Sequence, residues 1–181
     1  MTHTERQNHG FDYQDNIFER GDVRRTDGYT DKWDGYRIVA GKSTPTSIKC
    51  CKYRSEIGLG DIRRQSQIDE NFSAVIGFWE KTKDNIVEEH EIVIDKDTWK
   101  SYFGNIDCFD ALYAEMDTIS NDRKDEAVWK AFRKKYNDRY GKDSIIKIRF
   151  KRDHKNQKRI QCAISYKNFI NVVLKDATVV I

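Results

Sequence analysis

At 181 residues, 38% apolar and 12% aromatic, the chain is long enough for one domain with a real core, and its 35% charged residues are interspersed rather than blocked, which sets it apart from disordered sequences. No run of 18 apolar residues occurs, so no membrane-spanning helix is expected, and the polar start MTHTERQNHG lacks the apolar segment of a secretory signal, so a cytoplasmic protein is expected. The net charge of +3 hides a split: residues 121–160 carry 15 Lys/Arg against 6 Asp/Glu, and the remainder 18 against 24. A basic end beside an acidic remainder suits a nucleic-acid enzyme, and on charge alone it suits a solvated helix and a charged hairpin equally well.

Residues 1–11 read as a flexible tail and 12–181 as a single domain, with a core over 12–95 and a basic part over 121–181. Residues 12–24 have a loose helical pattern with Phe18 and Val23 as apolar points, broken by Gly21, and residues 25–33 carry turn signals. WDGYRIVAG is a short β-type run. GKSTPT reads as a turn, and SIKCCKY as a second β-run, so the pair predicts a hairpin. Residues 55–72 open on glycines and then turn helical, with Ile62, Gln65 and Ile68 about one turn apart. SAVIGFWE is a nearly continuous apolar run, the pattern of a buried strand, returning parallel to 47–53. EHEIVID predicts another strand, and Asp95 or Asp97 a cap for a helix starting near Thr98 and Trp99. Residues 106–119 and 123–140 read as helices, the second with Val128, Phe132 and Tyr136 on one stripe. SIIKIRFKR, the polar turn DHKNQK and KRIQCAISY form a hairpin, and KNFINVVLKDATVVI closes the chain. The order predicts an α/β (α+β) fold: a mixed central β-sheet flanked by helices, with a C-terminal helix and β-hairpin.

Cys50, Cys51, Cys108 and Cys162 form no CxxC pair and read as free thiols of a reducing compartment. Asp153-His154 reads as a polar hairpin turn, and His90 as a surface residue. Gly58-Leu59-Gly60 is too short for a phosphate loop of the Walker type and lacks the Lys-Ser/Thr that should follow.

The chemistry sits on the hairpin. Residues i and i+2 of a strand share a face, so Ser47 and Lys49 point the same way, and the offset of fifteen positions from Asp34 to Lys49 is enough for the hairpin to bring them side by side. Phosphodiester hydrolysis needs a divalent metal on hard oxygens and an activated water. A strand carrying an acid, beside one carrying an acid and a lysine, supplies both.

The order helix, Asp34-Gly35 strand, Ser47-Ile48-Lys49 strand, helix with Arg64-Gln65, then SAVIGFW resembles the PD-(D/E)xK nuclease superfamily of type II restriction endonucleases and resolvases. The resemblance spans about residues 12–95. It implies a restriction-endonuclease-like core, an Mg²⁺ (or Mn²⁺) cofactor, and cleavage of double-stranded DNA by a homodimer with one site per strand. It implies Asp34 and the Ile48 carbonyl as metal ligands, Lys49 as the residue that activates water, and Gln65 as a positioning group. The sequence departs from the family at Ser47, where a second acid belongs; Asp61, Glu56 and Glu19 are the candidate replacements. In the basic part, Lys147, Arg149, Lys151, Arg152, Lys155, Lys158 and Arg159 are candidate phosphate contacts, and Trp129, Phe132, Tyr136, Tyr140 and Phe150 read as core. The rival readings are a non-catalytic nucleic-acid-binding protein and a regulatory protein with a nuclease-like fold.

Overall fold

A computed structural model describes residues 3–26, 32–80, 85–104, 109–120, 125–140, 144–152 and 157–179, and in it the fold is mixed α and β. The elements run α1 (His3–Glu19), β1 (Arg24–Arg25), β2 (Gly35–Val39), β3 (Lys42–Lys52), β4 (Ile57–Asp61) and α2 (Ile62–Ser66). They continue with β5 (Phe72–Glu80), β6 (Asn85–Ile94), α3 (Lys96–Ser101), α4 (Phe109–Thr118), α5 (Glu126–Tyr140), β7 (Ile146–Arg152) and β8 (Lys158–Ile164). A helical run over Tyr166–Asn168, Phe169–Val173 (a π-helical turn) and Leu174–Asp176 precedes β9 (Thr178–Val179). No helix among the described residues is long and apolar enough to cross a membrane.

The stretch expected as one domain resolves into two compact units: Met1–Ile57 with Asp69–Thr98 and Tyr166–Ile181, and Gly58–Ile68 with Trp99–Ser165. The division arises because two segments, Gly58–Ile68 and Trp99–Ser165, leave the main sheet and build a second one, the chain returning to the first unit at Asp69 and again at Tyr166.

The first unit is built on a six-stranded sheet of order β1-β2-β3-β5-β6-β9. β5 is buried along almost its whole length, as its unbroken apolar sequence requires, and pairs parallel with β3 and antiparallel with β6. The hairpin turn differs from expectation. It is the two-residue Ala40-Gly41, both at positive φ (48° and 76°) as tight hairpins demand, while Ser43–Thr46 already belong to β3. Pro45 is tolerated there because β5 joins β3 only from Thr46 onward, leaving one side of the strand without a ladder to break.

The register sorts side chains onto two faces. One face carries Ile48 and Cys50 of β3, Val75, Gly77 and Trp79 of β5, and Glu91 and Glu89 of β6. α1 covers it, packing Tyr13 and Ile17 on Ile48 and Val75. Gly77 is required: a Cβ there would fall 2.5 Å from the Tyr13 ring. α1 also begins at His3, nine residues before the helix expected from 12, and the His9 ring stacks on Trp79 at 4.5 Å, which ties part of the expected tail to the sheet. The opposite face carries Ser47 and Lys49, Ala74, Ile76 and Phe78, and Ile92, His90 and Glu88. Phe169 and Tyr166 pack there, edge-on or tilted to Phe78, and Phe169 also meets His90.

The second unit holds a three-stranded sheet of order β4-β8-β7. β4 is the element missed in sequence: Gly58 and Gly60, the latter at φ 89°, read as punctuation, yet the segment between Ile57 and Asp61 pairs with β8. The helix expected through 72 shrinks to the five residues of α2. α5 buries Trp129, Phe132, Tyr136 and Tyr140, stacked or tilted against one another and edge-on or tilted to Phe150, so the five aromatics are core as expected. The stripe starts at Trp129 rather than Val128, which is 52% exposed.

Candidate active site

Asp34 stands just before β2, and its N–H continues the ladder by donating to the Thr46 carbonyl (3.1 Å). That fixes the carboxylate over the neighbouring strand. Its Oδ2 accepts from the Ile48 N–H (2.7 Å), the Ser47 hydroxyl (3.2 Å) and the Lys49 ammonium (3.1 Å). Lys49 Nζ donates also to the Ile48 carbonyl oxygen (3.1 Å). Asp34 and Lys49 are each about 30% exposed, so the cluster is open to solvent on one side.

The ammonium therefore lies between Asp34 Oδ2 and Ile48 O, the two oxygens nominated as metal ligands. Two hard oxygens converging on one cationic point fit a Mg²⁺ ion that keeps most of its waters. Among the described residues no group of three or more His, Cys, Asp or Glu side chains is placed to hold a metal, so a cation here would be held by few protein ligands. The Ser47 hydroxyl, at the position where the resemblance calls for a second acid, donates to Asp34.

Asp61 belongs to the second unit, where Oδ1 caps α2 through the Arg64 N–H (3.2 Å) and Oδ2 accepts the Tyr113 hydroxyl (2.9 Å). As a cap it precedes the helix, so it does not share a helical face with Arg64 and Gln65 as the spacing suggested. Gln65 folds back to donate to the Leu59 carbonyl (2.9 Å), and its own carbonyl accepts the Trp99 indole N–H (2.9 Å). Glu56 is exposed at the end of the first unit's β3–β4 connection. Glu19 is exposed on α1, the helix that covers the face opposite to Lys49.

One further carboxylate is bonded to the residue that precedes Asp34. Trp33, the neighbour of Asp34, is buried against Phe72 and donates its indole N–H to Glu70 Oε1 (3.1 Å). Glu70 lies two residues before β5, beside a strand already adjacent to β3. The available signal was the adjacency of Trp33 to Asp34 and of Glu70 to the buried strand.

The basic residues divide by use. Lys147, Arg149 and Lys151 alternate along β7 with buried Ile146, Ile148 and Phe150, and Arg159 on β8 stands opposite Lys151. Arg152 is committed inside the unit, ion-paired with Glu126 and lying over the Trp129 ring (5.6 Å). Lys158 is committed too: its ammonium donates to the carbonyls of Met116 (2.7 Å), Asp117 (3.3 Å) and Ile119 (2.7 Å) at the end of α4. These two are therefore structural rather than phosphate contacts. Lys155, Cys108 and the Asp153-His154 turn lie outside the described residues. Cys50, Cys51 and Cys162 are not in disulfides.

No family model, curated protein or solved structure matches the chain.

Proposed function

We propose that the protein is an Mg²⁺-dependent DNA endonuclease of the PD-(D/E)xK type, acting on double-stranded DNA as a homodimer. The observation that carries this reading is the convergence of Asp34 Oδ2 and Ile48 O on Lys49 Nζ, on a hairpin strand paired in parallel with a buried strand. A bound Mg²⁺ would supply charge relief at the phosphate. Asp34 and the Ile48 carbonyl are the residues to hold it. Lys49, on the same face as Ser47, then orients or deprotonates the attacking water at Nζ. Lys147, Arg149, Lys151 and Arg159 supply backbone affinity without sequence reading. Within the same unit, Glu70, which accepts the Trp33 indole N–H, and Glu56 are candidates for the role that Ser47 leaves vacant.

A second reading has its own support. The Ser47 hydroxyl donating to Asp34 makes a closed hydrogen-bonded cluster, as a binding protein with a nuclease-like fold would have. Incubation of plasmid DNA with Mg²⁺ and with EDTA separates the two. Discrete, Mg²⁺-dependent products lost in Asp34→Ala and Lys49→Ala support the enzyme. Retarded DNA with no products under Mg²⁺ or Mn²⁺ favours the binding protein.

A further inference from the structure

The face of the sheet away from Lys49 holds a cavity of about 450 Å³ between α1 and the strands β3, β5 and β6, within the range of small-molecule sites. Its walls come from one unit. His9, Asp12, Tyr13 and Asn16 recur at helical spacing along one side of α1, Arg20 follows directly after its end, and Cys50, Trp79, Ile86 and Glu89 rise from the sheet.

The lining is unequal in what it leaves available. Glu89 is used twice, accepting Tyr13 Oη–H (2.8 Å) and Arg20 Nη1 (2.8 Å), and Arg20 Nη2 donates to Glu91 (3.0 Å). The guanidinium fork is thus already turned onto two carboxylates and offers little to an anion. Burial raises the Tyr13 hydroxyl well above its ordinary value and pushes the Cys50 thiol up to about 12, so both stay neutral at physiological pH. Asp12, Asn16 and Asn85, in contrast, have no side-chain partner among the described residues and line the cavity with acceptors and amide donors. The apolar wall is Trp79, and it already carries a flat heteroaromatic ring: the His9 imidazole lies on the indole at 24° between planes.

A ligand for this cavity is planar, to stack on the His9 imidazole, because Trp79 itself is buried beneath that ring. It bears N–H donors for Asp12 and pairs of donor and acceptor atoms for the two amides. It carries no negative charge, because Asp12 and Glu89 outnumber Arg20. We infer that the cavity binds an uncharged purine, as the free base or the nucleoside. This site is independent of the nuclease reading, since it lies on the opposite face and uses none of those residues.

Tryptophan fluorescence and calorimetry with adenine, adenosine, guanosine, uridine and AMP test it on the full chain. A purine base or nucleoside should bind saturably and change the tryptophan emission, with AMP and uridine at least about tenfold weaker. Asp12→Ala and Asn85→Ala, both at exposed positions, should weaken the purine about tenfold with an unchanged circular dichroism spectrum. Asp34→Ala should bind it normally. The inference is overturned if no purine saturates by about 1 mM, if AMP matches the nucleoside, or if the Asp12 and Asn85 variants bind like the parent. Separately, loss of cleavage in Asp34→Ala alongside intact purine binding would show that the two sites stand or fall apart.

Discussion

The two units use charge in opposite ways. In the first, unlike charges converge: Asp34, Lys49 and a backbone carbonyl meet within hydrogen-bonding distance, on a face otherwise lined by Ala74, Ile76 and Phe78. In the second, like charges line up: Lys147, Arg149 and Lys151 share one side of β7 at a spacing of about 6.8 Å. A convergent ion pair balances itself and suits chemistry at a point. A row of cations repels itself unless an extended anion lies along it, which suits affinity for a backbone.

The sharpest way to break this comparison is to remove one member of the convergent cluster. Lys49→Ala and Asp34→Ala should each lower Mg²⁺-dependent cleavage about 10²–10⁴-fold, with unchanged affinity for DNA measured in EDTA. Glu70→Ala and Glu56→Ala, assayed beside them, identify the missing acid: the correct one should fall into the same range, and the other should cut normally. If all four variants cut like the parent, the first unit's cluster is structural and the contrast with the second unit disappears.

A smaller effect separates structural cations from the exposed row. Lys158→Ala removes a donor shared by three carbonyls at the end of α4 and should cost about 1–3 kcal/mol of stability, read as a lowered denaturant midpoint. Lys151→Ala, on an exposed position of the row, should leave the midpoint almost unchanged. Lys151→Ala should instead reduce the salt dependence of DNA binding by about one unit in the slope of log K against log salt. Equal stability in the two variants would erase the distinction drawn between them.

What the sequence disclosed follows the range of the interactions concerned. The α+β class, the hairpin carrying Asp34 and Lys49, and the buried parallel strand were legible, because alternation, turn residues and an unbroken apolar run are local signals. The five aromatics of α5 and β7 were legible as core for the same reason, although Val128 and Trp129 exchanged places, since a stripe can be started at either of two adjacent residues. β4 was not legible: two glycines in five residues weaken any strand pattern, and what makes it a strand is its partner β8, about a hundred residues later. Asp61 had the right spacing to share a helical face with Gln65, and lost it when the helix began one residue further on and made Asp61 its cap. The tie between Glu70 and the Trp33 indole was invisible because nothing in the spacing links the two residues. Arg152 and Lys158 look like surface charges in sequence, and only the fold reveals their internal partners Glu126 and the α4 carbonyls.

The smallest effect concerns a pair that belongs to neither charge pattern. Glu115 of α4 accepts from Lys135 (2.7 Å) and from the Tyr136 hydroxyl (2.5 Å), both on α5, and these donors hold its carboxyl below the ordinary range while the Lys135 ammonium is held above its own. A carboxylate with a folded pKa below its unfolded one adds stability that is present above the unfolded value, about 4.3. That stability is lost as the pH falls through the folded value. The pair is partly exposed, so salt screens it and the contribution is small. Glu115→Gln should therefore unfold at a lower denaturant concentration than the parent at neutral pH, and the two curves should draw together below pH 4. A gap that stays constant down to pH 3 would assign the contribution to packing of the side chain against Tyr136 instead of to its charge.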